Sequence, residues 1–108
     1  MKKNQKKYIY LIQSLNDGYY KIGTSVNPNK RIEQLQTSNS SKLKIINTYN
    51  SEFYNLIETA LHNHYSHLKL NGEWFNFSIN EEIEFEEKCE KFENKIKFLK
   101  EMNNNYFR

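Results

Sequence analysis

Apolar and polar positions along this chain change rhythm several times, and each rhythm predicts an element. From Tyr8 to Leu11, and again from Tyr19 to Ile22, the residues are aromatic and β-branched, which predicts two strands. Between them, Asn16-Asp17-Gly18 tolerates the positive φ angles of a hairpin turn. With Asp17 and Gly18 as a two-residue loop, Tyr8, Tyr10 and Ile12 share a face with Tyr19, Lys21 and Gly23. A glycine on that face lets another group approach the backbone closely. Ile9 and Leu11 oppose Tyr10 and Ile12, so the first strand is apolar on both sides and the sheet is expected to be covered on both.

Beyond the hairpin the period lengthens. Pro28 to Gln36 reads as a short helix capped by Asn27, with Ile32 and Leu35 turned inward and Arg31 about one turn in. Thr37 to Ser41 is a loop by composition. Lys42 to Tyr49 starts as an alternating strand with Leu43 and Ile45 toward the core, and Ile46 breaks the pattern. Ser51 to Leu68 is the clearest helix, with Phe53, Leu56, Ile57, Ala60, Leu61, His64 and Leu68 on one stripe. Glu58 sits about 120° from the centre of that stripe, on its flank with His62 and Tyr65. His64, within the stripe, is expected in the core.

Asn71-Gly72 is a turn, and Glu73 to Phe77 an aromatic segment suited to an edge strand or an irregular wall. Ser78 and Glu81 have capping-box spacing, opening a helix to about Met102. Its seam, Phe85, Cys89, Phe92, Ile96 and Leu99, must pack on something, either its own core or a second copy. Asn103 to Arg108 is expected to fray and Met1 to Lys7 to be mobile. The expected fold is a single α/β (α+β) domain over residues 1–108. A small, mainly antiparallel three-stranded sheet is flanked by helices, with the core over about 8–77 and an added C-terminal helix over about 79–102.

Composition sharpens this picture in two respects. A single cysteine, Cys89, excludes an internal disulfide and a CxxC zinc site, and suits a reducing cytoplasm. The apolar run after the basic start is only five residues long, too short for an export signal or a membrane span. The net charge of +3 also hides an asymmetry. Residues 1–50 carry nine Lys or Arg against two acidic residues, and residues 51–108 carry seven against eleven. A basic front half with a tyrosine face suits a polyanion such as DNA or RNA, although four of the first seven residues are lysines that would equally serve as a solvated tail.

The ordered set of motifs resembles the GIY-YIG nuclease superfamily. Tyr8-Ile9-Tyr10 stands where that family has GIY, Lys21-Ile22-Gly23 where it has YIG, and Arg31 where a helical arginine follows. Glu58, Leu61 and His62 resemble its glutamate helix, and Gly72-Glu73-Trp74-Phe75 the end of its core. The similarity covers roughly Tyr8 to Phe77 and is nearest the phage-type and meiotically-up-regulated-gene branch, where KIG replaces YIG. Tyr8 in place of the first glycine and Lys21 in place of the first tyrosine are departures.

The resemblance implies a divalent-metal-dependent endonuclease acting on DNA phosphodiesters, with Tyr10, Lys21, Arg31 and Glu58 in one cleft. Glu58 would hold Mg²⁺ or Mn²⁺, which needs few protein carboxylates because it keeps several waters. Arg31 would clamp the scissile phosphate with its planar fork. Tyr10 would orient or deprotonate the attacking water, the latter only if a cation lowers its pKa from about 10. Lys21 would act as a point charge or a base, which leaves the identity of the general base open. Lys30, Arg31, Lys21 and His62 would contact nucleic acid. Each has a plainer reading: Tyr10 as core, Lys21, Lys30 and Arg31 as solvated cations, Glu58 as a helix-flank carboxylate. The competing functions are a nucleic-acid-binding module without turnover, and an interaction module in which the last helix forms a homodimer or pairs with a partner. In the last case the core is expected to survive truncation after Ser78.

Overall fold

The computed structural model describes residues 5–106, with side chains as far as 103. The elements are β1 (Lys7–Ser14), β2 (Tyr20–Ser25), α1 (Pro28–Thr37), β3 (Leu43–Ser51), α2 (Tyr54–His64), β4 (Trp74–Phe75) and α3 (Ile79–Tyr106), with a 3-10 turn at Ser66–Leu68. All strand pairs are antiparallel, in the order β3-β1-β2-β4. The sheet thus has four strands where three were expected, because the aromatic Trp74–Phe75 pair joins the edge of β2.

The hairpin is looser than a two-residue turn. Tyr10 pairs with Gly23 and Ile12 with Lys21, and the Ser14 N–H donates to the Tyr19 carbonyl, which leaves Leu15 to Gly18 as a four-residue loop. Gly18 supplies the left-handed residue at φ 78°. The register therefore slips by two residues from the expected one. A slip of two preserves which side chains share a face, so Tyr8, Tyr10, Ile12, Lys21 and Gly23 remain together.

Two apolar layers cover the sheet. On one face Ile9, Leu11, Tyr20, Ile22 and Phe75 are buried with Ile57, Leu61 and Tyr65 at α2, and with Phe85 and Cys89 of α3. On the other, Tyr10, Ile12 and Leu43 are buried under Ile32 and Leu35 of α1, with Ile45 and Trp74 alongside. Ile46, the residue that broke the alternation, is a β-bulge: Leu11 pairs with Asn47 and Ile12 with Ile45, so Ile46 has no partner. The bulge switches face, which sends Ile45 to the α1 side and Ile46 to the other.

The helix ends follow local chemistry. Asn27 Oδ1 accepts the Lys30 N–H at 3.1 Å and caps α1, as expected. Ser51 ends β3, and its hydroxyl accepts the Phe53 N–H at 2.9 Å, so α2 starts at Tyr54 rather than at Ser51. It also stops earlier than predicted, at His64, where Tyr65 leaves helical geometry and the 3-10 turn follows. His64 is exposed, with its ring edge-on to Tyr65 and Phe92, not a core histidine. At α3, Glu81 accepts the Ser78 N–H at 2.6 Å, which is half of the predicted capping box, while the Ser78 hydroxyl takes the Asn80 N–H.

α3 runs on to Tyr106, past the predicted end near Met102, and residues 107–108 of the expected frayed end lie outside the described residues, as do residues 1–4 of the lead-in. The seam packs on this chain's own core through Phe85, Cys89, Phe92 and Ile96, then leaves it, with Leu99 53% exposed. Because Phe85 and Cys89 are fully buried there, a chain cut after Ser78 would expose the main core. The burial of Phe85 and Cys89 in that core argues against the expectation that it survives this cut. Burial also pushes the Cys89 thiol up to about 12, so it is an inert packing residue. Among the described residues no helix is long and apolar enough to cross a membrane.

Candidate active site

The site forms where β2 carries a glycine opposite a tyrosine. A Cβ placed on Gly23 would stand 2.5 Å from the Tyr10 Cζ and nearer still to the hydroxyl. Only a glycine lets the Tyr10 ring lie flat across β2, so the close approach expected at Gly23 is made by a side chain of the same sheet. Tyr10 is 2% exposed and is therefore both a core residue and a site residue. Arg31, in the first turn of α1, donates from Nη1 to Gln34 Oε1 at 3.2 Å and lies near enough for its charge to act on the Tyr10 hydroxyl. Burial raises the Tyr10 pKa; Arg31 opposes the rise, while Glu73 and Glu58 add to it. At neutral pH this phenol is a neutral hydrogen-bonding group.

Glu58 arrives from the other layer. β4 is only two residues long, so the edge of β2 is open beyond Ile22, and there α2 reaches the sheet rim. His62 Nε2 lies 3.1 Å from the Ile22 carbonyl, and its ring is edge-on to Phe75. A carbonyl only accepts, so Nε2 carries the proton in this bond. His62 is thus a strut between α2 and β2, with one ring nitrogen already committed. Glu58, one helical turn earlier, is held at the rim of an open groove of about 440 Å³ with Thr59, Lys69 and Glu73. Its carboxyl is pushed above the usual range by burial first and by Glu73 second, with Lys21 opposing.

Lys21 is already engaged. Its ammonium lies 3.3 Å from a Glu73 carboxylate oxygen and 5.3 Å from the centre of the Trp74 ring. Tyr20, the neighbour expected on the opposite face, is buried there and donates its hydroxyl to Glu82. It is no substitute for a phenol at position 21.

Tyr10 feels the charges of Arg31, Glu73 and Glu58, and Glu58 those of Glu73 and Lys21, although the groove at Glu58 is lined by none of Tyr10, Lys21 and Arg31. Lys30 precedes Arg31 on α1 and is exposed. Glu73 is the member that sequence reasoning left without a role. It adjoins β4, its carbonyl accepts the Ile22 N–H at 3.2 Å, and it faces both Lys21 and Glu58. Only the β2–β4 pairing, invisible in a two-residue strand, brings it to Lys21. Among the described residues no three His, Cys, Asp or Glu side chains gather as a ready-made metal cage.

The chain matches no curated protein and no solved structure. The T5orf172 domain, a phage-associated domain related to GIY-YIG and HNH-like nucleases, matches residues 7–97, which span every element of the site. This chain belongs to the T5orf172 domain family.

Proposed function

We propose that this cleft is the active site of a divalent-metal-dependent endonuclease that hydrolyses DNA phosphodiester bonds. One observation carries the reading: the buried Tyr10 ring lies against Gly23 on the strand that also presents Lys21 to Glu73, and the charges of Arg31 and Glu58 both reach the Tyr10 hydroxyl. Burial raises the Glu58 pKa, and repulsion from Glu73 adds to the rise. A hard cation on the two carboxylates would relieve both, and their all-oxygen donor set fits Mg²⁺ or Mn²⁺. When bound, the cation would neutralise phosphate charge and acidify a water.

The chain's own residues then divide the remaining work. Arg31 binds the scissile phosphate through its fork, because it is permanently charged and its charge reaches the buried Tyr10 hydroxyl. Tyr10 orients the attacking water or a phosphate oxygen as a donor; its raised pKa argues against a role as base. Lys21 exchanges Glu73 for phosphate, a trade that a substrate anion favours. His62 positions Glu58 by tying α2 to Ile22.

The test is nicking of supercoiled plasmid with Mg²⁺ or Mn²⁺, with chelator, and with Arg31→Ala. Metal-dependent nicking that falls about 100-fold or more in Arg31→Ala supports the reading. Salt-sensitive binding with no cleavage of duplex, single-stranded or branched DNA would leave a nucleic-acid-binding module without turnover.

A further inference from the structure

A second cavity, of about 390 Å³, lies against the same sheet face at the hairpin end, lined by Tyr19, Trp74, Leu70, Asn39, Asn71 and Asp17 among others. We infer that this cavity holds one unpaired nucleobase next to the phosphate engaged by Lys21; the inference rests on the nucleic-acid reading of the cleft. Four observations converge on it.

First, the walls are aromatic. Tyr19 is 38% exposed although it precedes a buried strand, and Trp74, also in the lining, packs against the core. Every base has a π-face that such rings can stack on. Second, the walls are fixed. The Tyr19 carbonyl accepts from Ser14, the Leu70 N–H donates to the Trp74 carbonyl at 2.9 Å, and the Trp74 N–H donates to the Asn71 carbonyl at 3.1 Å. Ligand binding would order little that is not ordered already.

Third, the rim offers both kinds of hydrogen-bonding group. Asn39 Oδ1 is spent on the Ser41 N–H, so its amide nitrogen is what it presents, and Asp17 uses Oδ1 on the Tyr19 N–H, which leaves its second oxygen. A donor and an acceptor at the edge of an apolar slot match the polar edge of a base, and that edge is available only when the base is unpaired. Fourth, Trp74 links the pocket to Lys21: its ring lines the pocket and has the Lys21 ammonium 5.3 Å from its centre. A strand whose phosphate lies at Lys21 has its neighbouring base beside Trp74.

The consequence is a preference for single strands, bulges or frayed ends over intact duplex. The probe is a short oligonucleotide with a central 2-aminopurine, whose fluorescence falls when it stacks on an aromatic ring, mixed with the full chain in chelator. Fluorescence anisotropy of an end label reports binding separately. Single strand should bind with quenching, and Tyr19→Ala should weaken binding about tenfold and restore the fluorescence, while Tyr19→Phe keeps both. The Tyr19 side chain is exposed and makes no hydrogen bond among the described residues, so Tyr19→Ala folds, as its circular dichroism will report. Binding by anisotropy with unchanged 2-aminopurine fluorescence at every position, or equal affinity for duplex and single strand, would overturn the base pocket and leave the cleft reading intact. Absence of any nucleic-acid binding would overturn both.

Discussion

The two faces of the sheet differ in what their buried residues are for. The face under α2 and α3 is closed by eleven buried side chains, among them Phe75, Phe77 and Phe85. The face under α1 has three, Tyr10, Ile12 and Leu43, and one of these is a site residue. Burial of apolar area is what stabilises a domain of this size, so the first face carries the fold. The second leaves Tyr8, Tyr19, Lys21 and Arg31 at or near the surface, where they can meet a substrate. Glu58 bridges the two: it is anchored on the well-packed face and delivered around the short edge at β4. A small domain can thus fix a carboxylate at the sheet rim without building a second core.

Substitutions can break this division. Phe85→Ala empties a fully buried site and should cost about 3–5 kcal/mol, whereas Leu35→Ala, partly exposed on the α1 face, should cost about 1–2 kcal/mol; denaturant unfolding of the two variants reads the difference. Equal losses would mean that both faces carry the fold alike. Gly23→Ala forces Tyr10 off β2 and should cost about 1–3 kcal/mol in the same assay. Because it also displaces the hydroxyl from Arg31, cleavage should fall further than stability, by about 100-fold.

The pH dependence sharpens the comparison more gently. On the proposed reading a metal ion would need the Glu58 carboxylate, whose pKa is raised by burial and by Glu73. Cleavage should therefore be lost on acidification at a pH above the ordinary carboxylate range, and Glu73→Gln should move that acid limb downward. Stability runs the other way. A raised folded-state pKa makes protonated Glu58 the more comfortable form, so its contribution is present at low pH and lost as pH rises through that value.

Much of this was legible in the sequence, for physical reasons that differ by residue. The shared face of Tyr10, Lys21 and Gly23 survived a wrong loop length because strand faces depend only on parity. Asn27 and Glu81 were readable because caps are local. The bulge at Ile46 showed only as a broken alternation, and its meaning, a switch of face, needed the pairing partner. Glu73 was invisible as a site residue because its position depends on a two-residue strand pairing across fifty positions of chain. The same is true of the Tyr19–Trp74 pocket.

The measurement that bears most directly on the division of labour is Glu58→Gln, assayed for metal-dependent cleavage and for denaturant unfolding on one preparation at neutral pH. The substitution keeps shape and removes a charge that burial and Glu73 both oppose. The expected result is loss of cleavage with stability unchanged or raised, the gain fading as pH falls below the Glu58 pKa. Cleavage at the wild-type rate, or a clear loss of stability, would contradict the account.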